Sequence, residues 1–231
     1  MQAKENLLGY SLESLESFFS KINEPKFRAK QLLKWIHQKG VLDFNLMTDL
    51  NKDLRAKLNS IAYIKPPIIH EEHVSKEGTI KYLIALESGS MIEMVEIPEK
   101  NRRTLCVSSQ AGCALQCTFC ATGAQGFDQN LDSHEIIGQL WLSNFHRKYN
   151  QPITNIVFMG MGEPLLNFDA VIESAKIMKH QLAYGLSRKR ITISTSGIVP
   201  NIKKLYDEID VSLAISLHAP DDNLRDEIVP I

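Results

Sequence analysis

Thr104–Cys120 reads TLCVSSQAGCALQCTFC, a short apolar run followed by a loop carrying three cysteines. With Cys106 in the run itself, all four cysteines of the 231-residue chain fall within fifteen positions. The same alternation of strand, loop and helix then repeats. SHEIIGQLWLSNFHRKYN (133–150) has helical spacing through Ile136, Leu140 and Phe145, with Ser133 as its expected N-cap. TNIVFMG (154–160) reads as a buried strand, NFDAVIESAKIMKHQLAY (167–184) as a helix and RITIST (190–195) as a strand. GIVPNIKKLYDE (197–208) reads as a short helix and VSLAISLH (211–218) as a strand. Four strands joined by three helices predict parallel β/α units, an α/β class. In such sheets chemistry gathers at the carboxyl ends of the strands. The cysteine loop, GMGEP (160–164), STSG (194–197) and SLH (216–218) all fall there.

Bulk composition is that of a globular chain able to bury a core, 44% hydrophobic and 23% charged, with formal net charge −1. The first residues lack the apolar run of a secretory signal, and no apolar stretch approaches the roughly 18 residues of a membrane span. A cytoplasmic protein without membrane contact is expected. In a reducing cytosol, clustered cysteines argue for metal or thiol chemistry over structural disulfides. The charge is uneven: residues 1–66 carry 11 Lys/Arg against 7 Asp/Glu, and the remainder 15 against 20. Within PKFRAKQLLKWIHQKG (25–40) lie five basic residues and no acid. Pro25 and Gly40 suit the two ends of a helix there, and Phe27, Leu33 and Ile36 suggest its apolar stripe. Its basic face is either a solvated surface or a phosphate-contacting one. TIKYLIAL (79–86) and MIEMVEI (91–97) flank the turn-type ESGS and predict a β-hairpin. Pro66-Pro67 marks the expected boundary. The expected organisation is thus a helical part over 1–66, a β-hairpin linker over 67–103 and a β/α core over 104–231.

Cys113, Cys117 and Cys120 form a C-x3-C-x2-C group. A structural zinc site wants four ligands; no second cysteine pair exists here, and Cys106, which could be a fourth ligand, sits in the expected strand seven residues away. Three thiolates can hold three irons of a cubane cluster and leave the fourth open to a cofactor or substrate, whereas fully protein-ligated clusters use four. A zinc-binding RNA module without catalysis is the alternative. Taken singly, Glu163 could cap a helix, Ser194 serve a turn, His218 end a strand and Glu93 face solvent.

The C-x3-C-x2-C group after the first strand of a β/α series resembles the radical S-adenosylmethionine (SAM) superfamily. RRTLCVSSQAGCALQCTFCATGAQGF, VFMGMGEPLLN, STSGIVP and LAISLHAP together resemble its RlmN/Cfr family of RNA adenine methyltransferases. FRAKQLLKWIHQKGVLDFNLMTDLNKDLR resembles the helical accessory domain on the RlmN side, which acts on adenine C2, rather than the C8-directed Cfr side. The resemblance implies a (β/α) radical-SAM barrel, here about four of six units, behind a small helical RNA-binding domain. It also implies a 4Fe–4S cluster on Cys113, Cys117 and Cys120, and SAM held by Gly162, Glu163, Ser194, Ser216, Leu217 and His218. Glu93 would accept a proton, and Cys106 would resolve a covalent protein–RNA adduct. The implied reaction methylates 23S ribosomal RNA and tRNA at adenine C2 through a methyl-cysteine relay. It needs an electron donor such as flavodoxin or ferredoxin, and a monomer is expected. The relay's methyl-carrying cysteine and a late Asn lie beyond position 231 in that family. The resemblance therefore implies a C-terminally truncated fragment, itself inactive.

Overall fold

The structure is a computed structural model describing residues 4–146 and 151–231. A two-residue strand β1 (Glu5–Asn6) opens the chain, followed by helices α1 (Leu12–Lys21), α2 (Phe27–His37) and α3 (Lys52–Ile61). Strand β2 (Ala62–Tyr63) then pairs in parallel with β1 and returns the chain to its start. Ser11 and Asn51 cap α1 and α3 with their side chains, satisfying amides that a helix start leaves unpaired. On α2 the buried residues are Ala29, Leu32, Leu33, Ile36 and His37. The expected stripe through Phe27 is corrected here: Phe27 is 53% exposed, and Leu32 takes its place in the core.

Three antiparallel strands follow, β3 (Ile68–Val74), β4 (Ile80–Ala85) and β5 (Met91–Glu99). The sequence predicts only β4 and β5. The side chains of β3 are mostly exposed, so it carries no alternating apolar signal; backbone pairing alone makes it a strand. Strand β5 pairs antiparallel with β6 (Arg102–Cys106). From there the sheet turns parallel through β9 (Asn155–Phe158), β10 (Ile191–Thr195) and β11 (Ser212–Ile215). One seven-stranded sheet results, in the order β11-β10-β9-β6-β5-β4-β3.

Between β6 and β9 lie a short two-stranded stem, β7 (Gln110–Gly112) and β8 (Phe127–Asn130), with α4 (Ala121–Gln125) inside it, and then α5 (Ser133–Phe145). Helix α6 (Phe168–Lys179) joins β9 to β10, α7 (Val199–Glu208) joins β10 to β11, and α8 (Asp222–Ile228) follows β11. Each crossover steps one strand along in the same direction, the winding of a (β/α) barrel rather than of a doubly wound sheet. The α5 cap corrects the sequence reading: Asp132 is the N-cap, in a capping box with Glu135, and Ser133 is the first helical residue. The expected end of that helix, 147–150, lies outside the described residues.

A single apolar core joins the N-terminal helices to the β/α layers, from Leu7 and Leu8 through Ile36 to Ile136, Leu140 and Ile193. Each such fully buried aliphatic side chain contributes about 1.5–3 kcal/mol. Polar ties fix the seam. Trp141 Nε1 donates to Ile36 O at 3.0 Å, and Glu173 on α6 accepts from Ser11 N at 2.8 Å. Buried His37 meets Tyr184 Oη at 3.1 Å; burial drives its pKa down to about 3.

Candidate cluster and cofactor site

The cysteine loop hangs from a stem. Strands β7 and β8 pair Gln110 with Asn130 and Gly112 with Phe127, and Cys113 N donates to Gly126 O at 3.0 Å. The stem can close this tightly because Gly112 has φ +73° and no Cβ; one placed there would lie 1.9 Å from Gly126 O. Beyond it, Cys113, Cys117 and Cys120 turn to one cavity of about 350 Å³. Burial raises the pKa of the Cys113 and Cys117 thiols, with the neighbouring cysteines adding to it.

The opposite wall comes from the carboxyl ends of β9, β10 and β11. Gly162, Glu163, Ser194, Ser216 and His218 all line this cavity, as the strand-end rule predicts. Leu217 does not; it is 64% exposed. Glu163 is 3% exposed, and both its carboxylate oxygens are held by backbone amides, Oε1 by Leu165 N at 3.1 Å and Oε2 by Ser196 N at 2.8 Å. It thereby caps the short 3-10 turn at Pro164–Asn167. The helix-cap reading of Glu163 and its cavity reading therefore hold together. Gly162 (φ +94°) passes so close to the loop that a Cβ would meet Gln110 Cβ at 2.4 Å. Ser194 Oγ and Ser216 Oγ lie 3.3 Å apart. His218 takes φ +63° and stacks its ring 4.6 Å from that of Phe119 in the cysteine loop.

Glu93 and Cys106 lie in a separate, adjoining cavity of about 200 Å³, which shares Thr122, Met159 and Gly160 with the larger one. Burial raises the Cys106 pKa, so its thiol is protonated at neutral pH. Glu93 is half-exposed and accepts from Lys81 Nζ at 2.9 Å.

One side chain ties together two walls of the smaller cavity. Ser108 Oγ donates to Glu93 O at 2.5 Å and accepts from Met161 N at 2.8 Å. Gln139 grips the Ser108 backbone on both sides, at 2.9 Å each. Gln110 Oε1 accepts from Glu163 N at 2.9 Å, and Asn167 Nδ2 donates to Ser109 O at 2.8 Å. Sequence reasoning missed all four of these residues. Gln139 left a readable signal, a polar residue amid the apolar IIGQLWL of α5.

The donor set suits an iron–sulfur cluster. Three thiols face one cavity, soft ligands of the kind such clusters take. A single zinc ion would need its ligands to converge at about 2.3 Å on one point. Among the described residues, no group of three His, Cys, Asp or Glu side chains is placed to hold one ion.

Residues 107–230 match the model of the radical SAM superfamily. The chain belongs to the radical SAM superfamily. Residues 5–64 match the model of the ribosomal RNA large subunit methyltransferase N-terminal domain. The dual-specificity RNA methyltransferase RlmN of Pseudomonas putida is 55% identical over 99% of this chain and 61% of its own length. RlmN of Pseudomonas entomophila is 54% identical over 99% and 62%. A radical SAM methyltransferase from Sphaerobacter thermophilus superposes with a TM-score of 0.88 at 38% identity, covering 98% of this chain and 67% of that one. The chain therefore spans about three-fifths of the length of the curated RlmN proteins it matches.

Proposed function

We propose that this chain forms the cluster- and SAM-binding part of an RNA methyltransferase acting on adenine C2 in 23S ribosomal RNA and tRNA. The observation that carries the reading is the shared cavity: the C-x3-C-x2-C thiols face the GMGEP glutamate and the strand-end serines across one space of about 350 Å³. That volume lies within the range of small-molecule sites. Cys113, Cys117 and Cys120 would hold a 4Fe–4S cluster. When bound, it supplies the electron for reductive cleavage of SAM. Glu163 presents a carboxylate fixed by two backbone amides, a suitable acceptor for an ammonium group. The glycines at 160 and 162 let backbone approach the ligand closely.

The adjoining cavity is the place for the RNA base. Glu93 is the acceptor for a proton leaving the base, since its pairing with Lys81 is half-exposed and easily exchanged. Cys106 holds its proton at neutral pH and must lose it to attack as a nucleophile. Ser108 holds β5 against Met161, the segment after β9, and so fixes the walls of this smaller space. Lys26, Arg28, Lys30 and Lys34 on α2 are assigned to RNA phosphates. A flavodoxin or ferredoxin as electron donor, a cytoplasmic location and a monomeric state complete the reading; no helix among the described residues is long and apolar enough to cross a membrane.

Anaerobic reconstitution with iron and sulfide tests the reading directly. Close to four irons and four sulfides per chain are expected, with SAM binding that perturbs the cluster's electron paramagnetic resonance. One zinc per chain with no iron uptake would sink it in favour of a zinc module. The substrate is tested with a reductant, SAM and ribosomal RNA, using the chain and its full-length relatives side by side. Methyl transfer by the relatives to C8 rather than C2 would move the family assignment to the Cfr side.

A further inference from the structure

Helix α8 follows β11, and its Arg225 and Ile228 make polar contacts to the site. Arg225 Nη2 donates to Ser196 O and, at 3.5 Å, to Ser216 O. Those carbonyls leave the ends of β10 and β11, and both serines line the larger cavity. One turn further on, Ile228 O accepts from Thr118 N at 3.1 Å. Thr118 sits between Cys117 and Cys120. Among the described residues this is the one backbone hydrogen bond from 114–119 to a part of the chain outside the loop. The far end of α8 is anchored by fully buried Val229, and its start is capped by Asp221, which accepts from Leu224 N at 3.0 Å. Arg225 therefore works from a helix capped at its start and anchored at its far end. A planar guanidinium suits the bridging of two carbonyls; a lysine ammonium on its flexible stem suits it less.

We propose that Arg225 is a positioning residue for the cysteine loop: through α8 it fastens the ends of β10 and β11 to Thr118, holding the cluster thiols opposite the SAM-side serines. Without Arg225, the loop would keep its stem and the Phe119–His218 stack but lose its rigid connection to the opposite wall. The proposal deepens the reading above, and its first test does not depend on that reading.

That test is amide hydrogen exchange on the metal-free full chain. Arg225→Met should speed exchange at Thr118 about tenfold or more, the effect of losing a charge-assisted hydrogen bond, while amides of β4 and β5 keep their rates. Arg225→Lys should fall between the variant and the wild type. Unchanged exchange at Thr118 in folded Arg225→Met, or equal acceleration throughout the chain, would overturn the proposal. Should Arg225→Met not fold, Arg225→Lys decides alone: intermediate exchange supports the tether and wild-type exchange refutes it. A second arm measures loss of iron to a chelator after reconstitution, expected to be several-fold faster in Arg225→Lys. If Thr118 loosens as expected but wild-type chain takes up no iron, the tether stands and the cluster reading falls. If iron loads normally but is lost at the wild-type rate, the tether has no bearing on the cluster and the proposal fails.

Discussion

The two neighbouring cavities are built by different rules. The larger one is walled by loops leaving parallel strands, and its polar groups are already committed: both Glu163 oxygens are held by backbone amides. The smaller one borrows the side wall of antiparallel β5. Its Glu93 is half-exposed and holds only a surface ion pair, an interaction worth about 0–1 kcal/mol. The first is preorganised for one ligand; the second is open to a substrate that arrives from outside. Rigidity on one side and availability on the other are what the proposed function asks of the two spaces, one for a cofactor and one for an exchangeable base.

The sharpest way to break this division lies in the cysteines. Single Ala variants at Cys113, Cys117 or Cys120 should abolish stable iron binding, whereas Cys106→Ala, in the smaller cavity, should retain it. Iron and sulfide per chain after anaerobic reconstitution give the answer. Loss of the cluster in Cys106→Ala would merge the two cavities into one metal site.

Next in size is backbone approach. Gly162→Ala adds a methyl 2.4 Å from Gln110 Cβ at φ +94°, so overpacking adds to backbone strain. A loss of roughly 2–5 kcal/mol in urea unfolding is expected, together with loss of SAM binding. Gly89, in the β4–β5 turn, has the same φ but nothing within 4 Å. Gly89→Ala should cost only about 1–2 kcal/mol and leave the site intact. Equal costs would show that close approach at the larger cavity is not what Gly162 provides.

A smaller contrast compares the two glutamates. Glu163→Gln leaves an amide group facing a backbone N–H in a buried site, and should cost about 1.5–3 kcal/mol. Glu93→Gln should change stability by under about 1 kcal/mol. Thermal unfolding of the two variants in parallel checks both values, and a Glu93→Gln cost matching that of Glu163→Gln would show that Glu93 too is locked.

This contrast also explains what could be read from the sequence. The parallel strands β6, β9, β10 and β11 are apolar runs between helices, and one topological rule then places GMGEP, STSG and SLH at a shared edge. Thus Glu163, Ser194, Ser216 and His218 were legible as neighbours before any coordinates, although Leu217 in the same motif points away. The smaller cavity was not legible this way. Glu93 sits on an antiparallel strand with ordinary alternation, and only the family resemblance singled it out. Strand β3 escaped because backbone pairing leaves no trace in side-chain hydrophobicity. Ser108, Gln110 and Arg225 escaped because a buried hydrogen-bond network depends on which distant backbone groups need partners, and local sequence does not state that.

The smallest expected effect concerns the surface farthest in character from both cavities, the basic face of α2. Lys26, Lys30 and Lys34 are exposed, and no ion pair involves them among the described residues. Arg28 differs: its Nη1 donates to Gln31 Oε1 at 2.9 Å and to Asp49 O at 3.2 Å, and its guanidinium lies 4.7 Å from the ring of exposed Phe27. Part of the cost of fixing Arg28 is therefore met by the fold, while the lysines remain solvated. If these residues meet RNA phosphates, each contact releases counterions, and the logarithm of affinity falls linearly with the logarithm of salt concentration. Neutralising Lys30 and Lys34 together to Gln should weaken RNA binding and flatten that slope by roughly 0.7–0.9 per lost contact. Stability should hardly change, because neither side chain packs in the core. Affinity measured across a salt series with ribosomal RNA fragments decides the matter. An unchanged slope would make this face a solvated surface and leave RNA recognition to the cavity edge alone.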